Sequence, residues 1–178
     1  KRFFPLIFTL LFLIFSCGQQ DTDDVEINSL NLIPVPAKME VGAGELIVTA
    51  DFEIQADLEN EKIKFVADFL GETIKQATVF SVPVKANSDA ANKCVLELST
   101  KYSNLGDEGY NLIVNKKGIR LSSPTAAGLF YGVQTILQLL PPNIYADKKQ
   151  DAQWAVPFVE IQDQPRYSYR GMHLDVAR

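Results

Sequence analysis

Two segments of this chain repeat their apolar residues at helical spacing, while every other core-like segment alternates with the period of a strand. Residues 60 to 76 place Ile63, Val66, Ala67, Leu70 and Ile74 on one side of a helix. A second helix runs Ala126, Leu129, Phe130, Val133, Ile136, Leu137 and Leu140, with Ser123 as its cap, Pro124 in its first turn and Pro141-Pro142 as its stop. Strands are expected at 45–49, 52–55, 81–84, 94–99, 110–115, 118–122 and 154–160. Asn115-Lys116-Lys117-Gly118 reads as a hairpin turn, with Gly118 free to take a positive φ. An apolar stripe on a helix and an apolar face on a sheet must each be covered, and here they cover one another. The expected fold is therefore α+β: an open, mostly antiparallel sheet with two helices on one face. Neither repeats nor low-complexity runs interrupt it.

The two ends of the chain read differently. Lys1 and Arg2 precede an apolar run, Phe3 to Phe15, that is short for a membrane span and is followed by Ser16-Cys17. This resembles a bacterial lipoprotein signal, cleaved before a cysteine whose thiol then carries lipid; an ordinary secretory signal followed by an incidental cysteine is the other reading. Anchoring through several acyl chains is strong, at about 0.8 kcal/mol per buried methylene. Residues 1–16 are thus read as a signal peptide and 17–29, polar and acidic, as a flexible tether. Localisation is expected at a bacterial cell envelope, lipid-anchored, either periplasmic or at the outer membrane and cell surface.

The formal charge is −5, and removal of residues 1–16 takes away two of the 17 basic residues and none of the 22 acidic ones. Such acidity argues against a nucleic-acid partner. Cys94 lies in the alternating KCVLEL, where a small buried hydrophobe is the default reading, and an internal disulfide with a lipidated Cys17 is not expected. His173 is the only histidine, which leaves no multi-histidine metal site and no nucleophile–histidine chemistry resting on any other histidine.

At the C-terminal end, Tyr167, Tyr169, Met172, Leu174 and Val176 form an aromatic and aliphatic alternation suited to a strand buried on at least one face. Arg170, His173 and Asp175 interrupt it. Arginine and aspartate on one short strand imply either an ion pair or a polar pocket. Charges at the C-terminal ends of parallel barrel strands are also where active sites assemble, so a junction salt bridge and a functional site both remain open.

These residues carry a resemblance. DQPRYSYRGMHLDVAR is similar to the start of the catalytic barrel of glycoside hydrolase family 20, the β-N-acetylhexosaminidases. Upstream, LIPVPAKMEVGAGELIV, GYNLIVNKKGIRLSSPTAAGLFYGVQTILQLLP and VPFVEIQDQPRYSYRG resemble that family's small N-terminal α+β domain, in the same order. The resemblance implies residues 30–162 as the small domain and 163–178 as the first strand of a truncated TIM (β/α)8 barrel. It implies exo-hydrolysis of terminal β-linked N-acetylhexosamine by a substrate-assisted retaining mechanism, in which the substrate's acetamido oxygen is the nucleophile. The Asp-Glu pair doing that work is expected beyond Arg178, so no catalytic residue is assigned within the chain. Asp107-Glu108 and Asp23-Asp24 are read as solvated.

Among site residues the resemblance carries over Arg170, which would bind hydroxyls of the non-reducing sugar. Asp175 is a candidate support, bracing Arg170 or serving the structure, and His173 is read as a satisfied junction residue. Cys17 is the lipidation candidate. Tyr102, Tyr110, Tyr131 and Trp154 are read as core or interface aromatics before sugar platforms, and the turn Gly106-Asp107-Glu108-Gly109-Tyr110 as serving the fold. Expected partners are N-acetylhexosamine-containing glycans and a membrane through the lipid anchor; no cofactor or metal is implied, and no oligomeric state. The alternative is a non-catalytic surface lipoprotein that acts as a glycan- or partner-binding module.

Overall fold

A two-residue hairpin and two side-chain-capped helices set the frame. The computed structural model describes residues 30–174. Its strands are β1 (Lys38–Ile47), β2 (Glu53–Gln55), β3 (Val84–Lys85), β4 (Lys93–Leu98), β5 (Tyr110–Asn115), β6 (Gly118–Ser123) and β7 (Ala155–Asp163). The helices are α1 (Glu61–Ala77), between β2 and β3, and α2 (Ala126–Leu139), between β6 and β7, with short 3-10 turns at Thr100–Leu105 and Pro142–Tyr145.

All seven strands join in one sheet of order β1-β7-β5-β6-β4-β2-β3. The expected α+β class holds, and the sheet divides by direction. Pairings β1–β7, β7–β5 and β5–β6 are antiparallel, and β1–β7 is the longest ladder. Pairings β6–β4, β4–β2 and β2–β3 are parallel, so the sheet is mixed, with more of its paired residues in antiparallel ladders, as expected, than in parallel ones. Alternation of apolar residues reports which face a side chain takes and is blind to strand direction. Direction follows from the connections: β2 returns to β3 through α1, a crossover that forces parallel pairing, whereas β5 and β6 are joined by a tight turn. In that turn the Lys117 amide donates to Asn115 Oδ1 at 2.8 Å and Gly118 takes φ 116°.

Both helices lie on the same face of the sheet. The apolar stripe of α1, Ile63, Val66, Ala67, Leu70 and Ile74, is buried, as are Leu129, Val133, Ile136 and Leu137 of α2. Opposite them stand Ile54, Cys94, Leu96, Leu112, Val114, Ile119, Leu121 and Ile161, all buried. Phe69 and Phe130 meet between the helices at a ring-centroid distance of 5.4 Å. Cys94 has the expected role of a small core hydrophobe, and burial pushes its thiol up to about 12.

Helix starts follow side-chain chemistry. Asn60 Oδ1 accepts from the amides of Lys62 and Ile63, satisfying donors that the first turn of α1 leaves open. At α2 the cap is Thr125, whose hydroxyl oxygen accepts from the amides of Ala127 and Gly128, and not Ser123. Ser123 ends β6, buried, with its hydroxyl donating to the Gly109 carbonyl at 2.8 Å. Two hydroxyl residues flanking Pro124 are equivalent as sequence signals, and a tertiary partner decides between them. Strand β1 also begins earlier than its alternation suggested, because a register shift between Val41 and Glu45 interrupts the pattern.

The largest departure is at the C-terminal end. Residues 164–174 form no ladder, and the alternating Tyr167, Tyr169, Met172 and Leu174 are exposed, Tyr169 and Met172 by 88% and 87%. A lone extended segment has no second strand to accept its backbone hydrogen bonds, so apolar alternation alone cannot make it a strand. Val176 lies outside the described residues.

Helix α2 lies closest to the sheet at two glycines. A Cβ on Gly128 would overlap the Gly109 carbonyl oxygen and Ser123 Oγ; on Gly132 it would overlap the Leu121 side chain. Alanine gains about 1 kcal/mol in helix propensity, while overpacking costs about 1–3 kcal/mol. Gly128→Ala is expected to lower stability by about 2 kcal/mol, and Gly132→Ala by less, since Leu121 can rotate and a backbone carbonyl cannot. Urea unfolding of the two variants checks the order; equal losses would contradict it.

Candidate functional site

The turn before β5 is held by its backbone. Thr125 Oγ1 donates to the Asp107 carbonyl, Ser123 Oγ to the Gly109 carbonyl, and the Gly109 amide to the Gly106 carbonyl at 3.2 Å. Glu108 is thereby fixed at the surface beside Tyr131, which α2 presents six residues beyond its cap. Tyr131 donates to Glu108 Oε1 at 3.2 Å.

Arg170 docks onto this pair. Its Nη2 donates to Glu108 Oε1 and Oε2 at 2.9 and 2.8 Å and to the Tyr131 hydroxyl at 3.2 Å. Nη1 donates to the Tyr167 carbonyl at 2.5 Å, and the guanidinium carbon stands 5.8 Å from the centre of the Tyr131 ring. The side chains of Arg170 and Glu108 are 41% and 35% exposed, so the pair is half-buried. The hydrogen bond from Arg170 holds the Glu108 carboxyl below its ordinary range, and Glu108 in turn raises Arg170.

This cluster lines a cleft of about 960 Å³. One wall is the segment Ile33 to Val35, tied to α2 by a reciprocal pair: the Ile33 amide donates to Gln138 Oε1 at 2.9 Å, and Gln138 Nε2 donates to the Ile33 carbonyl at 3.0 Å. The other wall runs from Asp163 to Tyr167. On the floor, the Tyr110 hydroxyl meets Thr135 Oγ1 at 2.6 Å, and burial pushes its ionisation up. Asp163 Oδ1 accepts from the Ala37 amide at 3.0 Å, closing the cleft where β7 ends.

Of the residues singled out from sequence, Arg170 is thus the one the structure brings into a constellation. It makes an ion pair, with Glu108 as partner, and also lines the cleft. Glu108, expected to be solvated in a turn that serves the fold, has its carboxylate engaged instead, and no spacing rule connects residues 62 apart. His173 is exposed. Asp175 and Cys17 lie outside the described residues. Tyr110 and Trp154 are buried at 3% each, as core aromatics, while Tyr131 stands at the surface, with 38% exposed.

The family model described as glycosyl hydrolase family 20, domain 2, matches residues 29–164. The chain belongs to glycoside hydrolase family 20. Among its relatives, the β-hexosaminidase of Porphyromonas gingivalis is 30% identical over 149 residues, covering 84% of this chain and 19% of that protein. The β-hexosaminidase of Vibrio vulnificus is 32% identical over 151 residues, covering 84% of this chain and 15% of that one. In three dimensions the chain is similar to the N-acetyl-β-hexosaminidase of Streptomyces plicatus, solved with Thio-NAglucal, at a TM-score of 0.70 and 34% identity over 78% of this chain and 27% of that one. The chain therefore spans less than a fifth of the two sequence relatives. In this family-20 chain the matched region ends just before the segment that carries Arg170.

The Arg170–Glu108 contact has a measurable signature. Glu108 has a depressed folded-state pKa, so the stabilisation from the contact is present above the unfolded value and is lost as pH falls through the folded one. In Arg170→Ala the Glu108 carboxyl is expected to titrate at higher pH than in the wild type, towards the ordinary glutamate range. Carbon-detected NMR titration of the side chain reads this directly; an unchanged midpoint would show that Arg170 does not engage Glu108 in solution.

Proposed function

We infer that the polypeptide containing this chain is an exo-acting β-N-acetylhexosaminidase, releasing terminal non-reducing N-acetylhexosamine from β-linked glycans. The observation that carries the reading is the family-20 domain followed directly by the Tyr-Arg-Gly segment at Arg170. Substrate-assisted retaining catalysis fits the family: the acetamido oxygen attacks the anomeric carbon, an oxazolinium-like intermediate forms, and water then opens it. An adjacent Asp-Glu pair outside residues 1–178 would orient the acetamide and protonate the leaving oxygen. Arg170 would bind hydroxyls of the terminal sugar through its rigid set of N–H donors.

Expressed from its complete gene, the polypeptide is expected to release nitrophenol from p-nitrophenyl N-acetyl-β-D-glucosaminide, and residues 1–178 alone are expected to release none. Arg170→Ala in the complete polypeptide is expected to lower kcat/KM about tenfold to a hundredfold, the range for a hydrogen bond to a charged group. An inactive complete polypeptide that still binds a sugar polymer would favour a non-catalytic glycan-binding module instead.

We also propose a lipid anchor on Cys17, supported by the basic start, the short apolar run and Ser16 before the cysteine. The protein then sits on a bacterial envelope, with residues 17–29 as a tether. Labelling of cells with an alkynyl fatty acid is expected to mark the wild type and not Cys17→Ala, which should leave the membrane fraction. Equal labelling, or equal partition without label, would refute the anchor.

A further inference from the structure

We infer that the outer side of the α1–α2 layer is an intramolecular docking face, and that its occupant is the part of the same polypeptide that follows Arg178. The proposal shares one premise with the hexosaminidase reading, a polypeptide longer than residues 1–178, and needs no activity.

The first reason is the placement of exposed aromatic side chains. On α1 the solvated surface carries charged pairs, Lys64 with Asp68 and Lys75 with Glu72, yet Phe65 among them is 64% exposed. Phe65 and Phe69 lie one turn apart on the same side of the helix. Phe69 meets Phe130 of α2 at 5.4 Å, and Phe130 meets Tyr131 at 6.4 Å. The two helices thus present a continuous aromatic ridge. It runs into the cleft, which Tyr131 lines together with the exposed Ile33 and Val35.

The opposite face of the sheet has another character. Leu121 meets α2, so Arg120 and its cross-strand neighbours point the other way. There Ile113 pairs with Arg120 on one side and Glu160 on the other, Glu160 pairs with Glu40, and Arg120 bonds Glu97 at 2.8 Å. Covering that face would strip water from charges; covering the ridge removes aromatic area from water.

The second reason selects the occupant. Tyr167 lines the cleft, Arg170 touches Tyr131, and the exposed Tyr169 and Met172 follow, so the described chain leaves the domain over the ridge. A continuation from there is tethered at an effective concentration on the order of millimolar, which favours it over any free partner of equal affinity. The length is available in the relatives, since this chain spans 19% of the Porphyromonas gingivalis protein and 15% of the Vibrio vulnificus one. The cleft also suits a protein surface better than a small polar ligand. Gln138 is engaged by Ile33 and the Tyr110 hydroxyl by Thr135, so an occupant meets apolar walls above polar groups that already have partners.

The test uses the complete polypeptide with the photo-reactive residue p-benzoylphenylalanine in place of Phe65, an exposed site that tolerates a larger aromatic ring. Irradiation is expected to join position 65 to a peptide beyond Arg178, in a species of monomer mass. The same probe in place of Arg120 is expected to give no such cross-link. A cross-link confined to dimers would assign the ridge to a second copy, one to residues 1–29 to the start of the chain, and a lipid adduct to a membrane. Each of these overturns the proposal, as does a folded polypeptide in which position 65 cross-links to nothing. Should the variant at 65 fail to fold, the probe in place of Val35 is read in the same way. An inactive polypeptide with the intramolecular cross-link defeats the hexosaminidase reading alone, whereas an active one without it defeats this proposal alone.

Discussion

Everything in the described structure depends on how closely α2 can approach the sheet. At Gly128 the helix backbone comes against the Gly109 carbonyl, and at Gly132 it comes against Leu121; neither approach leaves room for a methyl group. Around that contact Ser123 and Thr125 give their hydroxyls to the carbonyls of Gly109 and Asp107. One close approach therefore does three things. It seals the apolar layer between helices and sheet, it determines which hydroxyl caps α2, and it immobilises the turn bearing Glu108.

The functional corner is a consequence of this packing. Glu108 comes from the turn before β5, Tyr131 from α2, and Arg170 from the segment after β7. The backbone groups of the turn and the helix are satisfied; the segment after β7 forms no ladder, and its Arg170 pairs with Glu108.

Much of the fold was legible in the residues. The stripe Ile63-Val66-Ala67-Leu70-Ile74 identified α1 and its buried face, and Tyr110–Asn115 was found with its boundaries because the Asn115–Gly118 turn marks its end. The parallel half of the sheet was not legible, since a strand's alternation is the same in either direction. The cap of α2 is not legible, because Ser123 and Thr125 offer the same hydroxyl oxygen to a helix start, and only the position of Gly109 assigns Ser123 elsewhere. At the C-terminal end, the alternation from Tyr167 to Leu174 described a surface that a strand would bury if it had neighbours; within the described residues it has none.

For the site, the sequence by itself determined the family resemblance and the candidacy of Arg170, because a short motif around an arginine is a local pattern. It also determined the acidic character of the chain and the two helices with their buried faces, since composition and period are properties of residues in order. Only the tertiary structure decided that Arg170 pairs with Glu108 over Tyr131. That contact joins residues 62 apart, and pairing over such a distance is set by packing of the intervening strands and helix rather than by any spacing along the chain.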